Sequence, residues 1–155
     1  MRLLRIITSL ALLLFVSMGV KAQGLKDPTT WTYVAKRKFG NVFELHFQVK
    51  LAGEWHIYAL KPGGDGTMIP PTFKIEPSKN IKLRGDMKEA AKPVEETVEE
   101  IGKIRYFKGE ADFIQEVEVT GTTEIKVTGS HEYQVCNDQI CLPPKTKTFT
   151  FNIKP

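Results

Sequence analysis

Apolar and polar positions alternate most regularly over residues 43–51, where Phe43, Leu45, Phe47, Val49 and Leu51 are apolar and Glu44, His46, Gln48 and Lys50 are polar. Successive side chains of an extended chain point to opposite sides, so this period of two predicts a strand with one buried face and one wet face. Shorter strand patterns are predicted over 31–38, 55–60, 72–76, 81–83, 104–107, 112–120 with a slip near Gln115, 124–135, and 146–153. Gly40-Asn41 and Ala52-Gly53-Glu54 read as turns, and 61–71, KPGGDGTMIPP, holds too many prolines and glycines for a strand and reads as a loop. Residues 88–92 have room for one helical turn at most, and the acidic residues 93–100 fit neither periodicity. About eight short strands, with turns every eight to twelve residues and no amphipathic helix, predict an all-β chain folded as an antiparallel β-sandwich. No internal repeat or second domain is visible.

The N-terminus changes the picture. Arg2 and Arg5 precede an apolar run over 6–16, and Val20-Lys21-Ala22 offers small residues where signal peptidase cuts. Residues 1–22 are therefore expected to be a signal peptide cleaved after Ala22, leaving 23–155 as a single domain. The apolar run is shorter than the roughly 20 residues needed to span a bilayer, so no stable membrane insertion is expected after cleavage. The leader carries Arg2, Arg5 and Lys21 but no acid, so the 22 basic and 18 acidic side chains of the whole chain become 19 and 18. That near balance excludes a nucleic-acid partner, which needs a basic surface to neutralise phosphates. No long exposed apolar edge demands a partner subunit, so a monomer is expected.

The only cysteines, Cys136 and Cys141, stand five positions apart in HEYQVCNDQICLPP. A bridge between them closes a ring of about six residues, worth only about 2 kcal/mol in the chain-entropy model, against more than 4 for a loop of about a hundred. Small bridges near the surface are often the exchangeable kind, and export places the pair where disulfides form. Pro143 and Pro144 stiffen the backbone just after Cys141. Two cysteines and three histidines, His46, His56 and His131, scattered over separate strands, do not make the four-ligand set of structural zinc. The residues alone leave two readings open. One is a redox-active pair; the other is an exported, non-enzymatic binding module in which the bridge pins one hairpin end.

The run YQVCNDQICLPP, followed by a Thr/Phe-rich last strand, resembles the active-site segment of the N-terminal periplasmic domain of DsbD, the thiol:disulfide interchange protein. The signal peptide, the Gly53 to Tyr58 segment, the Pro/Gly loop and the 102–113 segment support it. The resemblance implies an immunoglobulin-like sandwich in the periplasm that carries a reversible disulfide and needs no cofactor or metal. It implies a thioredoxin-like electron donor fed through a membrane-embedded reductase, and periplasmic disulfide-containing proteins as acceptors. Cys141 would be the attacking thiol and Cys136 the resolving one. The family's cap over the disulfide corresponds to residues 99–103, with Ile101 before Gly102 where the family carries an aromatic residue.

Trp55 and Tyr58 are expected to flank the sulfurs, with Tyr133 and Pro143 belonging to the same signature. Tyr106 and Phe107, the aromatics that stand nearest the cap, are candidates to replace the cap's aromatic residue, with strand core the favoured reading of both. Glu132 and Asp138 lie close enough in sequence to tune a cysteine, and Glu95, Glu96, Glu99 and Glu100 read as a solvated face or a docking rim. His131 falls with the inward set. With Pro155 closing the chain two residues after the last strand, the electron source is expected on a separate polypeptide.

Overall fold

The computed structural model describes residues 26–155; the expected leader and its cleavage site lie outside them. Among the described residues the chain forms strands and no helix: β1 (Thr29–Phe39), β2 (Val42–Leu51), β3 (His56–Gly63), β4 (Thr72–Ile75), β5 (Ile81–Glu89), β6 (Val94–Val98), β7 (Gly102–Lys108), β8 (Glu110–Val119), β9 (Ile125–Tyr133), β10 (Val135–Cys136) and β11 (Lys145–Ile153). Every pairing between them is antiparallel. The sheets run β1-β2-β8-β5, β10-β3-β7-β6 and β11-β9-β4. The last two meet at Gln134, the single residue between β9 and β10.

The alternation in β2 sets its inner face as its period predicts, whereas on the expected wet face His46 is buried, its Nδ1 2.8 Å from Asp112 Oδ2. Phe43, Leu45, Phe47, Val49 and Leu51 are buried in one core with Ala111, Phe113, Val117 and Val119 of β8. Ile57, Ala59 and Phe107 of the second sheet and Val127, Tyr133, Phe149 and Phe151 of the third complete that core. Phe47 lies at the contact: its ring is 4.7 Å from Phe73, 4.8 Å from Phe149 and 5.1 Å from Phe151, centroid to centroid, with the last two pairs edge to face. Such pairs add directional energy to plain burial and tie β2 to the opposite layer.

Four segments depart from the expected pattern. β3 continues to Gly63 where a loop was predicted from Lys61. Pro62 is tolerated because β10 covers only His56 and Ile57, leaving the far end of β3 with a free edge. Gly63, at φ 78°, lets the backbone close onto β7, since a Cβ there would lie 2.5 Å from the Lys103 carbonyl oxygen. β5 runs on to Glu89, so Lys88 and Glu89 are strand rather than helical turn, and the acidic segment contains β6. Both are sheet edges with mostly exposed side chains, so neither carries an alternation to read. The slip near Gln115 is absent from β8, whose burial alternates without a break. Gln115 is buried because its amide donates to the carbonyls of Arg84, Gly85 and Glu116, filling the bulge of β5.

Candidate functional site

Period two along β3 sorts its side chains: Ile57 and Ala59 enter the main core, while His56 and Tyr58 face the other way. β10 pairs with β3 through Val135 opposite Ile57 and Cys136 opposite His56. Partners opposite one another share a face, so Cys136 stands beside His56 on the outer side of this sheet. Cys136 and Cys141 are joined by a disulfide, with their Cα atoms 4.0 Å apart. The two ends differ sharply: Cys136 is only 1% exposed, whereas Cys141 is exposed, with Ile140 beside it exposed as well.

The bend between the cysteines does not depend on the sulfur bond alone. Asn137 N–H donates to the Ile140 carbonyl, and the Asn137 side-chain oxygen accepts from the N–H groups of Gln139 and Ile140, each at 2.9 Å. This is the turn that Asn makes readily, its side chain mimicking a backbone acceptor. Leu142 N–H donates to the Val135 carbonyl at 2.9 Å, and the Gln134 amide donates to the Leu142 carbonyl at 3.0 Å. Buried Leu142 anchors the exit of the bend in the main core while Pro143 and Pro144 stay exposed.

A second, smaller apolar cluster builds up on the same face. Met68, Ile104 and Tyr106 are buried together, with Tyr58, Val98 and Ile101 packed against them. The His56 ring lies 4.8 Å from Tyr106 and 5.4 Å from Tyr58. Tyr106 donates its hydroxyl to Glu96 Oε2 at 2.7 Å, and this bond, with burial and the charges of Glu96 and Asp138, pushes the phenol up to about 12. Burial lowers the affinity of His56 for a proton, as does the Lys108 ammonium; Asp138 and Glu96 act weakly against them.

The expected site residues divide accordingly. Cys136 and Tyr58 share one face of the second sheet, Cys141 is bonded to Cys136, and Ile101 of the β6–β7 turn packs with Tyr58 on Met68, Ile104 and Tyr106. Gly102 follows that turn at φ 92° after Glu100 at φ 69°, and Ile101 N–H donates to the Val98 carbonyl at 3.3 Å. Gly64 N–H donates to the Lys103 carbonyl at 2.9 Å, so the Pro/Gly loop touches the turn where a cap was expected. Trp55 packs instead against the main core. Tyr133 is also core; its hydroxyl donates to Asp27 Oδ2 at 2.7 Å and shares a 2.9 Å hydrogen bond with Thr29. Sequence reasoning missed His56 and Glu96 as neighbours of the site; Tyr106 and Phe107 are both buried in β7 as expected, Phe107 in the main core and Tyr106 in the smaller cluster. The spacing of 56 from 58 puts both on one face of β3, a signal available in the sequence, but nothing local names the neighbour that β10 brings to it.

The model of the family described as thiol:disulfide interchange protein DsbD, N-terminal, matches residues 22–153. The chain belongs to the DsbD N-terminal domain family. Among solved structures, the N-terminal periplasmic domain of ScsB from Proteus mirabilis is 18% identical, with a TM-score of 0.58, covering 83% of this chain and 47% of that one. This chain therefore spans about half the length of the ScsB chain. The Neisseria meningitidis DsbD N-terminal domain in its reduced form is 17% identical, with a TM-score of 0.52 over 79% of this chain and 86% of that one. The same organism's DsbD N-terminal domain, in complex with the PilB N-terminal domain, is 16% identical, with a TM-score of 0.56 over 86% and 91%. No curated protein sequence matches. These neighbours make the sandwich an immunoglobulin-like one. DsbD N-terminal domains take part in thiol-disulfide electron transfer, and in this chain the group suited to it is the Cys136–Cys141 bridge.

Proposed function

We propose that this domain is a periplasmic electron carrier that is reduced by a thioredoxin-like donor and in turn reduces disulfides of other exported proteins. The observation that carries the reading is the asymmetry of the bridge, with one buried sulfur-bearing residue and one exposed, on a bend held by its own hydrogen bonds. A donor thiolate attacks Cys141 Sγ, the Cys136–Cys141 bond breaks, and Cys136 leaves with the electron pair. The donor's second thiolate then breaks the mixed disulfide, so the donor departs oxidised and both cysteines are left reduced. Passing the electrons on reverses the order, with Cys141 attacking the acceptor disulfide and Cys136 resolving it. Attack rates depend on the thiolate fraction and on access, and access favours Cys141.

The Neisseria relative solved with a second folded domain supports docking of a protein rather than a small molecule. Among the described residues no helix is long and apolar enough to cross a membrane. The turn expected to cap the disulfide packs Ile101, with Tyr58, on Met68, Ile104 and Tyr106, and Cys141 is exposed, so a docking partner is expected to reach Cys141 directly.

Capture tests the reading. A Cys136→Ser variant is expected to hold its donor and acceptors as mixed disulfides through Cys141, and the Cys141→Ser variant to hold none. A bridge that stays oxidised in excess dithiothreitol while the protein remains folded, or a Cys136→Ser variant that captures nothing, would overturn it.

A further inference from the structure

His56 lies in a row of three residues across the second sheet. It is opposite Cys136 of β10 on one side and opposite Lys108 of β7 on the other. Facing partners share a face of the sheet, so the imidazole stands between a sulfur and an ammonium. The residue is 9% exposed, and its Nδ1 is buried with no hydrogen-bond partner among the described residues. An unpartnered buried ring nitrogen is uncommon and calls for a physical reason. The other charged and titratable groups around it are Tyr58 on its own strand, Tyr106 on β7, Glu96 on β6 and Asp138 in the bend.

We propose that the His56 imidazole exchanges a proton with Cys136 each time the bridge opens or closes. The inference rests on the proposed function and assigns a role to the sulfur that partners do not touch. Cys136 is buried, so a thiolate released there is poorly solvated and far from bulk water as a proton source. When a donor attacks Cys141 Sγ, the sulfur–sulfur bond breaks and Cys136 leaves as a thiolate; a proton passed from solvent through the imidazole converts it to a thiol. In the opposite direction neutral His56 takes the thiol proton and Cys136 attacks Cys141 Sγ of the mixed disulfide. The acceptor's sulfur then leaves with the electron pair. Burial and Lys108 favour the neutral imidazole, which is the form that can accept the proton.

The reduced protein, treated with one equivalent of 5,5′-dithiobis(2-nitrobenzoate), separates the two sulfurs. Attack by Cys141 releases one thionitrobenzoate at a rate that scales with reagent, and attack by Cys136 on the mixed disulfide releases a second at a rate that does not. A His56→Gln variant is expected to slow the second release by about 100-fold at pH 7 and flatten its pH profile, leaving the first within about twofold. A second release with wild-type rate and pH profile, or a fall of both releases by the same factor, would overturn the inference alone. Absence of a second release from the wild-type protein would overturn the carrier reading itself. If the variant does not fold, NMR titration of the wild-type His56 ring decides: midpoints differing between oxidised and reduced protein support the exchange, and identical midpoints refute it.

Discussion

Cys136 and Cys141 are the same side chain in opposite surroundings, and that difference comes from one register. Pairing with β3 buries Cys136 while the Asn137 turn carries Cys141 outward. Two other polar residues show how surroundings set protonation. His131 is 1% exposed, its Nε2 sharing a 2.7 Å hydrogen bond with the Tyr33 hydroxyl, and burial followed by the Lys147 charge lowers it from 6.5 to about 4. Asp27 would be raised by burial, but hydrogen bonds from Tyr133, Thr29 and Lys147 outweigh it and hold the carboxyl at about 2, against an ordinary 3.8. The unfolded chain binds a proton at His131 below pH 6.5 that the folded chain refuses until about 4, so stability falls as pH drops through that window. Asp27, with its folded value depressed, loses its contribution lower down, between about 3.8 and 2. Urea midpoints are expected to decline by the equivalent of about 2 kcal/mol between pH 7 and pH 4, and a flat profile would contradict the buried neutral imidazole. Asp27→Asn is expected to cost about 1–2 kcal/mol at pH 7, where Tyr133 loses a charged acceptor, and to make the decline between pH 4 and 2 shallower.

β9 is the strand on which the third sheet depends, flanked by β4 and β11. Gly129 sits opposite both Ile75 and Phe149 in a stretch where Val127, His131 and Tyr133 point inward. A Cβ at that position would lie 2.1 Å from the Lys74 carbonyl oxygen and 2.4 Å from Phe149 Cζ, so the glycine makes room for a core ring. Gly129→Ala is expected to destabilise the domain by about 1–3 kcal/mol, read as a shift in urea midpoint at unchanged slope. Strands with one buried face, β2, β8 and β11, were legible because burial forces alternation. β6 and the part of β5 beyond Leu83 were not, because an edge strand with exposed side chains obeys hydrogen bonding alone. The same limit hid Glu96, whose role follows from pairing that sets it beside Tyr106.

The whole molecule holds its disulfide as an accessory to a complete core. Five aromatic rings, Phe47, Phe73, Phe113, Phe149 and Phe151, pack between the layers without help from the bridge, and the bend has its own hydrogen bonds. Reduction is therefore expected to leave a folded protein with a melting temperature lowered by only about 6–10 °C, since a ring of this size is worth about 2 kcal/mol. Calorimetry of the oxidised and reduced forms checks this, and loss of cooperative melting on reduction would favour a purely structural bridge. The sequence alone determined the all-β sandwich, the inward set of its central strands and the two sulfurs close enough to join, since these follow from period two and from short spacing along one chain. Which sulfur is buried, and that His56, Tyr106 and Glu96 gather on its face, only the tertiary structure decided. Those neighbours come from strands up to eighty residues apart, and their registers are set by packing across the sheet rather than by any local pattern.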